Sequence, residues 1–270
     1  MGVPGLGAVL AVRGLPSAGD MLVGVVAAAA GAYAILALND VLTERAVALV
    51  GVGAGERTAR RAHPWRATGR ERPRVAVAVI AALAVLCAVL AYALSPVCLL
   101  LVAAAAGLYV ARCLARSAGV AVMAFGAACG VTGLAGWAGV ATISLRALPL
   151  VVFLGLWGAS CRIADDLAHF DAGGDHGAAT IATAHGPVTA ARAGCVVGFA
   201  TLAAAITLPM GGAMLNDIAV VLGVIVVAWP GARLWYRPSR AEAAAYHQSA
   251  LVYPALVLLV AIAPTLGRAL

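Results

Sequence analysis

The chain has 270 residues, of which 64% are hydrophobic and 11% charged, with a mean hydropathy of +1.01. A soluble domain carries about 25% charged residues, so this composition excludes an ordinary water-soluble fold and puts the chain in the membrane class. The net charge of +7 comes wholly from arginine, since lysine is absent. That reads as the coding bias of a GC-rich genome and as charge held in membrane-flanking loops, not as a nucleic-acid surface.

In chain order, residues 1–20 lack a basic leading stretch, so no cleavable signal peptide is expected. The apolar segment 5–15 is too short to cross a bilayer alone, and is expected to lie on the surface or to re-enter. A span needs roughly 20 apolar residues. Such runs fall near 21–38, 75–94, 97–115, 119–142, 146–163, 190–209, 214–235 and 248–266. The fold expected is therefore all-α: a polytopic transmembrane helical bundle forming one domain over residues 1–270. The runs 97–115 and 119–142 are rich in Ala and Gly, which lets helix backbones approach closely in lipid. The cysteines Cys87, Cys98, Cys113, Cys129, Cys161 and Cys195 are scattered through apolar runs, with neither metal spacing nor a disulfide framework.

The arginines alternate between connections. Fifteen of eighteen fall in every second one: Arg45 to Arg74 after the first span, Arg112 and Arg116, Arg162 and Arg192, then Arg233, Arg237 and Arg240. The alternate connections hold only Arg146. By the positive-inside rule the arginine-rich face is cytoplasmic. All five histidines lie on that face, with eight of the eleven acids and Asp40 at the end of its span.

Two acidic clusters stand there. In Asn39-Asp40-Val41-Leu42-Thr43-Glu44, Asp40 and Glu44 are i and i+4, so a helix puts both on one face beside the Asn39 amide. The second, Asp165 to His176, begins where the span 146–163 ends. It holds Asp166, Asp171 and Asp175, the last two also i and i+4 if the helix continues, although Gly173-Gly174 favours a break. Hard oxygen donors in two groups suit Mg²⁺ shared with a diphosphate, and arginines nearby would grip the same phosphates. Solvated loop acids at membrane ends are the plainer reading. That reading suits one cluster better than two on one face.

With these clusters at two span ends, the layout resembles the UbiA superfamily of intramembrane prenyltransferases, including its UbiA-type terpene cyclases. Leu15-Pro16-Ser17-Ala18-Gly19-Asp20 resembles the first-helix opening of the UbiA-like EboC group. Asn39-Asp40 matches the start of the family's first aspartate motif. Pro64-Trp65-Arg66-Ala67-Thr68-Gly69 looks like the basic stretch before its third helix. Tyr109 with Arg112 and Arg116 resembles the end of its fourth helix, and Gly177-Ala178-Ala179-Thr180 before Gly186 matches the run after its second motif. The family's next aspartate falls on Thr43, with Glu44 one place on, and Asp166, Asp171 and Asp175 are offset from the usual steps. The family has nine helices; here the region before Asn39 holds room for one and a fragment.

The resemblance implies an enzyme that ionises a prenyl diphosphate with Mg²⁺ and transfers the prenyl group to a lipophilic, aromatic acceptor. It implies Asn39, Asp40, Glu44, Asp166, Asp171 and Asp175 as metal ligands. Asp40, Asp166 and Asp171 would be central to catalysis, and Arg66, Arg112 and Arg116 would hold the diphosphate. Tyr109, Phe153, Trp137 and Trp157 are candidates to stabilise the cation by their ring faces, and His169 and His176 to act as base or phosphate ligand. The alternatives are a terpene cyclase needing no acceptor and a catalytically degenerate membrane scaffold. The partners expected are the prenyl diphosphate, an acceptor or none, and membrane lipid, with no nucleic acid. The location expected is a bacterial inner membrane, with the active-site loops cytoplasmic.

Overall fold

The structure is a computed structural model that describes residues 2–12, 15–50, 73–115, 117–170 and 180–269, with backbone alone for 36–50, 73–76 and 265–269. Those residues form helices and turns, with no strand among them. Eight helical segments are long and apolar enough to cross a membrane: Ala18–Ile35, Val77–Leu94, Pro96–Leu114, Ala118–Ala138, Leu145–Ala168, Pro187–Ala205, Ala213–Tyr236 and Arg240–Pro264.

Helix α1 (Gly2–Val12) covers the segment whose length forbids a span. It does not lie on the surface. Leu6, Val9 and Leu10 are buried, because Gly136 lets α1 ride directly on the neighbouring helix at Pro4. Helix α2 (Ala18–Val50) is 33 residues long. Ser17 starts it, its Oγ accepting from the Asp20 N–H at 3.1 Å and donating to the Asp20 carboxylate at 2.7 Å. At 1.5 Å per residue such a helix is about 50 Å long, well beyond a hydrocarbon core of about 30 Å. The polar stretch from Asn39 to Glu44 therefore stays helical past the apolar window.

Helices α3 (Pro73–Leu94) and α4 (Pro96–Leu114) are parted by Ser95 and a proline that cannot continue the preceding helix. The Ser95 Oγ accepts from the Cys98 N–H at 2.9 Å and donates to the Ala138 carbonyl at 2.8 Å. It thereby caps α4 and ties this turn to the end of α5 (Ala118–Ala138). A short 3₁₀ turn, Leu145–Ala147, leads into α6 (Leu148–Ala168), the most buried span. Leu150, Phe153, Leu154 and Leu167 of α6 are almost wholly enclosed. On the facing side of α5, Gly126 and Gly130 allow contact with the α6 backbone. A Cβ at these positions would stand 2.6 Å from the Gly155 oxygen and 2.7 Å from the Val151 oxygen. This is the close approach that the Ala/Gly content of the segment leads one to expect.

The short α7 (Ile181–His185) opens on a capping box between Thr180 and Thr183, and Gly186, at φ 85°, turns the chain into α8 (Pro187–Ala205). Helix α9 (Ala213–Gly223) passes through a π turn at Val224–Ala228 into α10 (Trp229–Tyr236). Pro230 lies at the start of α10, and the wider turn accommodates its missing N–H. The last crossing differs from its sequence reading. It consists of α11 (Arg240–Leu251), capped by Ser239, and α12 (Tyr253–Ala269), so the helical run starts at 240 and not at 248. The polar look of α11 hides a buried face of Ala243, Tyr246 and Ala250 set at helical spacing.

In the core, Phe153 meets Tyr253 edge-on at 5.5 Å, and the Tyr253 hydroxyl donates to the Ala219 carbonyl at 3.1 Å. Ser160 donates to the Gly194 carbonyl and shares a 2.5 Å hydrogen bond with the Tyr246 hydroxyl, joining α6, α8 and α11. On the outside, large apolar side chains such as Val85, Tyr92, Leu100 and Met123 face outward. In water that surface would be costly, whereas hydrocarbon suits it.

Candidate active site

Arg112, Arg162, Asp165, Asp166, His169 and His247 gather at one end of the bundle, where α4, α6 and α11 finish or begin. The reason lies in the last two turns of α6. Arg162, Asp165 and Asp166 are spaced i, i+3 and i+4, so one helical face carries all three and their charges offset one another. Nη2 of Arg162 contacts Oδ1 of Asp166, and Nη1 lies 3.3 Å from Oδ2 of Asp165. The helix therefore continues through the charges to Ala168. Arg162 sits within it, not in the connection where counting apolar residues puts it.

Asp165 has two further neighbours. His169, at the C-cap, lies 3.3 Å from its Oδ1, and the His169 Nδ1 is 2.8 Å from the Asp165 carbonyl. His247, brought in by α11, sets its Nε2 4.0 Å from Asp165 Oδ1. The His247 Nδ1 is 3.0 Å from the Cys161 carbonyl, which can only accept, so Nδ1 carries the proton in that contact. From α4, Arg112 lies over the rings of Tyr109 and Phe125, with centroid distances of 5.0 and 5.1 Å. Its charge reaches both Arg162 and Asp166. The Asp166 side chain keeps 10% of its surface and that of Arg162 20%, so the pair is largely shielded from water. The Nε–H of Arg162 is buried and meets no acceptor among the described residues.

Of the site residues expected from sequence, the structure brings Arg112 and Asp166 to this cluster. Asn39, Asp40 and Glu44 lie on the continuous helix α2, with Asp40 and Glu44 one turn apart, but their side chains are outside the described residues. Arg66, Arg116, Asp171, Asp175 and His176 also lie outside them. Helix α6 ends at Ala168, and the expectation of Asp171 and Asp175 one turn apart falls on residues outside those described. The candidate aromatics separate. Phe153 and Trp137 are buried packing residues, Trp157 donates to the Ala250 carbonyl at 2.8 Å, and Tyr109 alone of these carries a cation. Sequence reasoning passed over Asp165 and His247, and treated Arg162 only as a marker of topology. The i, i+3, i+4 spacing of Arg162 with the two aspartates was the available signal.

Asp165 and Asp166 are hard oxygen donors of the kind Mg²⁺ takes, so the donor chemistry fits. Among the described residues no group of three or more His, Cys, Asp or Glu side chains could hold a metal by itself. Any cation here has to share the pair with Arg162.

The profile of the UbiA prenyltransferase family matches residues 3–263. The chain belongs to the UbiA prenyltransferase family. Two solved structures have the same fold. A UbiA homologue from Aeropyrum pernix K1, in its apo form, superposes with a TM-score of 0.75 at 19% identity, covering 96% of each chain. A structure from work on the biosynthesis of digeranylgeranylglyceryl phosphate synthase in membranes gives a TM-score of 0.67 at 13% identity, covering 96% of this chain and 91% of that one. Among curated proteins no relative matches in sequence. Membership of the UbiA family together with eight apolar helices makes this an integral membrane protein of an intramembrane prenyltransferase type.

Proposed function

We propose that this UbiA-family protein ionises a prenyl diphosphate with Mg²⁺ and transfers the prenyl group to a lipophilic, aromatic acceptor. The observation that carries the reading is the convergence of Asp165, Asp166, Arg162 and Arg112 at one end of an apolar bundle, on helices whose order follows the family. An ionisable group within a span is costly and rare without a role, and here four stand together.

The Asn39 amide oxygen and the carboxylates of Asp40, Glu44, Asp166, Asp171 and Asp175 would hold the metal. When bound, Mg²⁺ supplies Lewis-acid stabilisation of the charge on the leaving diphosphate. Arg112, with Arg66 and Arg116, binds the phosphate oxygens and fixes the diphosphate at the mouth of the bundle, while the apolar helices take the prenyl tail and exclude water. The allylic C–O bond breaks with its electron pair going to the diphosphate oxygen. The acceptor carbon then forms the new C–C bond and gives up its proton to the released diphosphate or to solvent. Tyr109 already supports one cation, Arg112, and its ring lies at the same end. The arginine-rich face is cytoplasmic in this reading, in a bacterial inner membrane.

The test is product analysis with purified protein in detergent, Mg²⁺, and geranyl, farnesyl or geranylgeranyl diphosphate, with and without a lipophilic aromatic extract. A prenylated aromatic that needs the extract is the expected result. A cyclic hydrocarbon or alcohol formed without it would replace transfer with terpene cyclisation. Unchanged substrate throughout, with folded protein, would leave a scaffold.

A further inference from the structure

Resting on that reading of the site, we infer that Arg162 is a built-in counter-ion which keeps divalent metal off Asp165 and Asp166 until a phosphate takes its guanidinium. Arg162 holds both carboxylates at once, Asp166 through Nη2 and Asp165 through Nη1. A guanidinium stays charged at every pH a protein meets, so this compensation is permanent. Mg²⁺ gives up its water reluctantly and would have to displace the guanidinium as well. With one of their two charges offset and both carboxylates engaged by the same guanidinium, the two acids attract metal less in the substrate-free protein.

Two features mark Arg162 as able to change partners. Its Nε–H is enclosed and has no acceptor among the described residues, although a guanidinium offers five donors in a fork that matches phosphate. Arg112 also brings a second positive charge within electrostatic reach, so the two guanidiniums repel. A phosphate between them satisfies the free donor, relieves the repulsion and releases Asp166 Oδ1. Asp165 stays in place because His169 and His247 face its other oxygen. Phosphate and metal then assist one another at this pair, and by linkage each strengthens the other by the same factor. Arg162 is thus a positioning residue that makes metal loading depend on substrate.

The probe is Mn²⁺ alone, titrated by calorimetry into the purified full-length protein in detergent. Arg162→Gln is expected to bind Mn²⁺ about tenfold tighter than the parent. Arg162→Lys keeps the charge and stays with the parent, and adding Asp166→Asn to Arg162→Gln abolishes the gain. Unchanged Mn²⁺ affinity in folded Arg162→Gln overturns the inference, as does a gain that survives Asp166→Asn. Should Arg162→Gln fail to fold, Asp166→Asn alone decides: affinity within about twofold of the parent supports a blocked carboxylate, and a loss of about tenfold contradicts it. Diphosphate release is read in parallel. Release by the parent with Mn²⁺ binding indifferent to Arg162 defeats this inference alone; absent release with the Mn²⁺ shift intact defeats the proposed function alone.

Discussion

Charge placement at the end of α6 follows from a single arginine. Because Asp165 and Asp166 lie three and four residues beyond Arg162, one guanidinium serves both, and Asp166 is nearly enclosed with it. Removing Asp166 leaves the largely buried guanidinium with Asp165 alone, and breaking a buried pair costs up to about 3 kcal/mol. Asp166→Ala should therefore lower thermal stability in detergent, while Arg162→Met with Asp166→Leu should recover most of the loss. Equal melting of Asp166→Ala and parent would show that the pair contributes nothing to the fold. Tyr246→Phe removes a hydroxyl from the buried pair with Ser160 and should cost about 1 kcal/mol, because Ser160 keeps its bond to the Gly194 carbonyl. At this scale the sequence was readable where residues act locally. Asp166 was singled out as part of an acidic cluster at a span end, and Arg112 through the resemblance of its stretch to the family's fourth helix. His247 was not, since its meeting with Cys161 and Asp165 depends on how α11 packs on α6 and on nothing adjacent in the chain.

Helices are the most legible level, for a reason that belongs to lipid. The bilayer core leaves no water for backbone groups, so each crossing must be a helix of about 20 apolar residues, which composition reveals directly. Two elements escaped that logic. Helix α1 is too short to span, yet it is buried, because Gly136 opens α5 to it, and burial by a neighbour is not written in the segment itself. Helix α11 reads as polar, yet it places Tyr246 and Ala250 in the core. The α5–α6 contact makes a direct prediction. Gly130→Val would press a branched side chain onto the Val151 backbone, and overpacking of this kind costs about 1–3 kcal/mol. Gly107→Val on α4 meets open space and serves as the control. Thermal unfolding of the two variants checks the claim, and equal melting temperatures would contradict it. Ser95→Ala removes both the α4 cap and the tie to Ala138, and should lower stability by about 1–2 kcal/mol in the same measurement.

Among the described residues eight apolar helices are long enough to cross a membrane, and the family profile matches residues 3–263. The metal-bearing half of the proposal concerns α2 as much as α6. Asn39, Asp40 and Glu44 lie on a helix that extends past its apolar window, and Asp40 and Glu44 share one face. Degenerate motifs allowed the family to be recognised because their order survives where individual aspartates have moved. The acceptor and the prenyl length are not legible in this way, because the helices that would take a prenyl tail are built of interchangeable Ala, Val and Leu. The most direct test of the central claim is Mg²⁺-dependent release of diphosphate from geranyl, farnesyl or geranylgeranyl diphosphate by the purified protein, with acceptor extract present. Release that stops when Mg²⁺ is chelated, and that falls about a hundredfold in Asp40→Ala while the fold persists, is the predicted result. Folded protein that releases no diphosphate from any of the three, or release indifferent to both Mg²⁺ and Asp40, would contradict it.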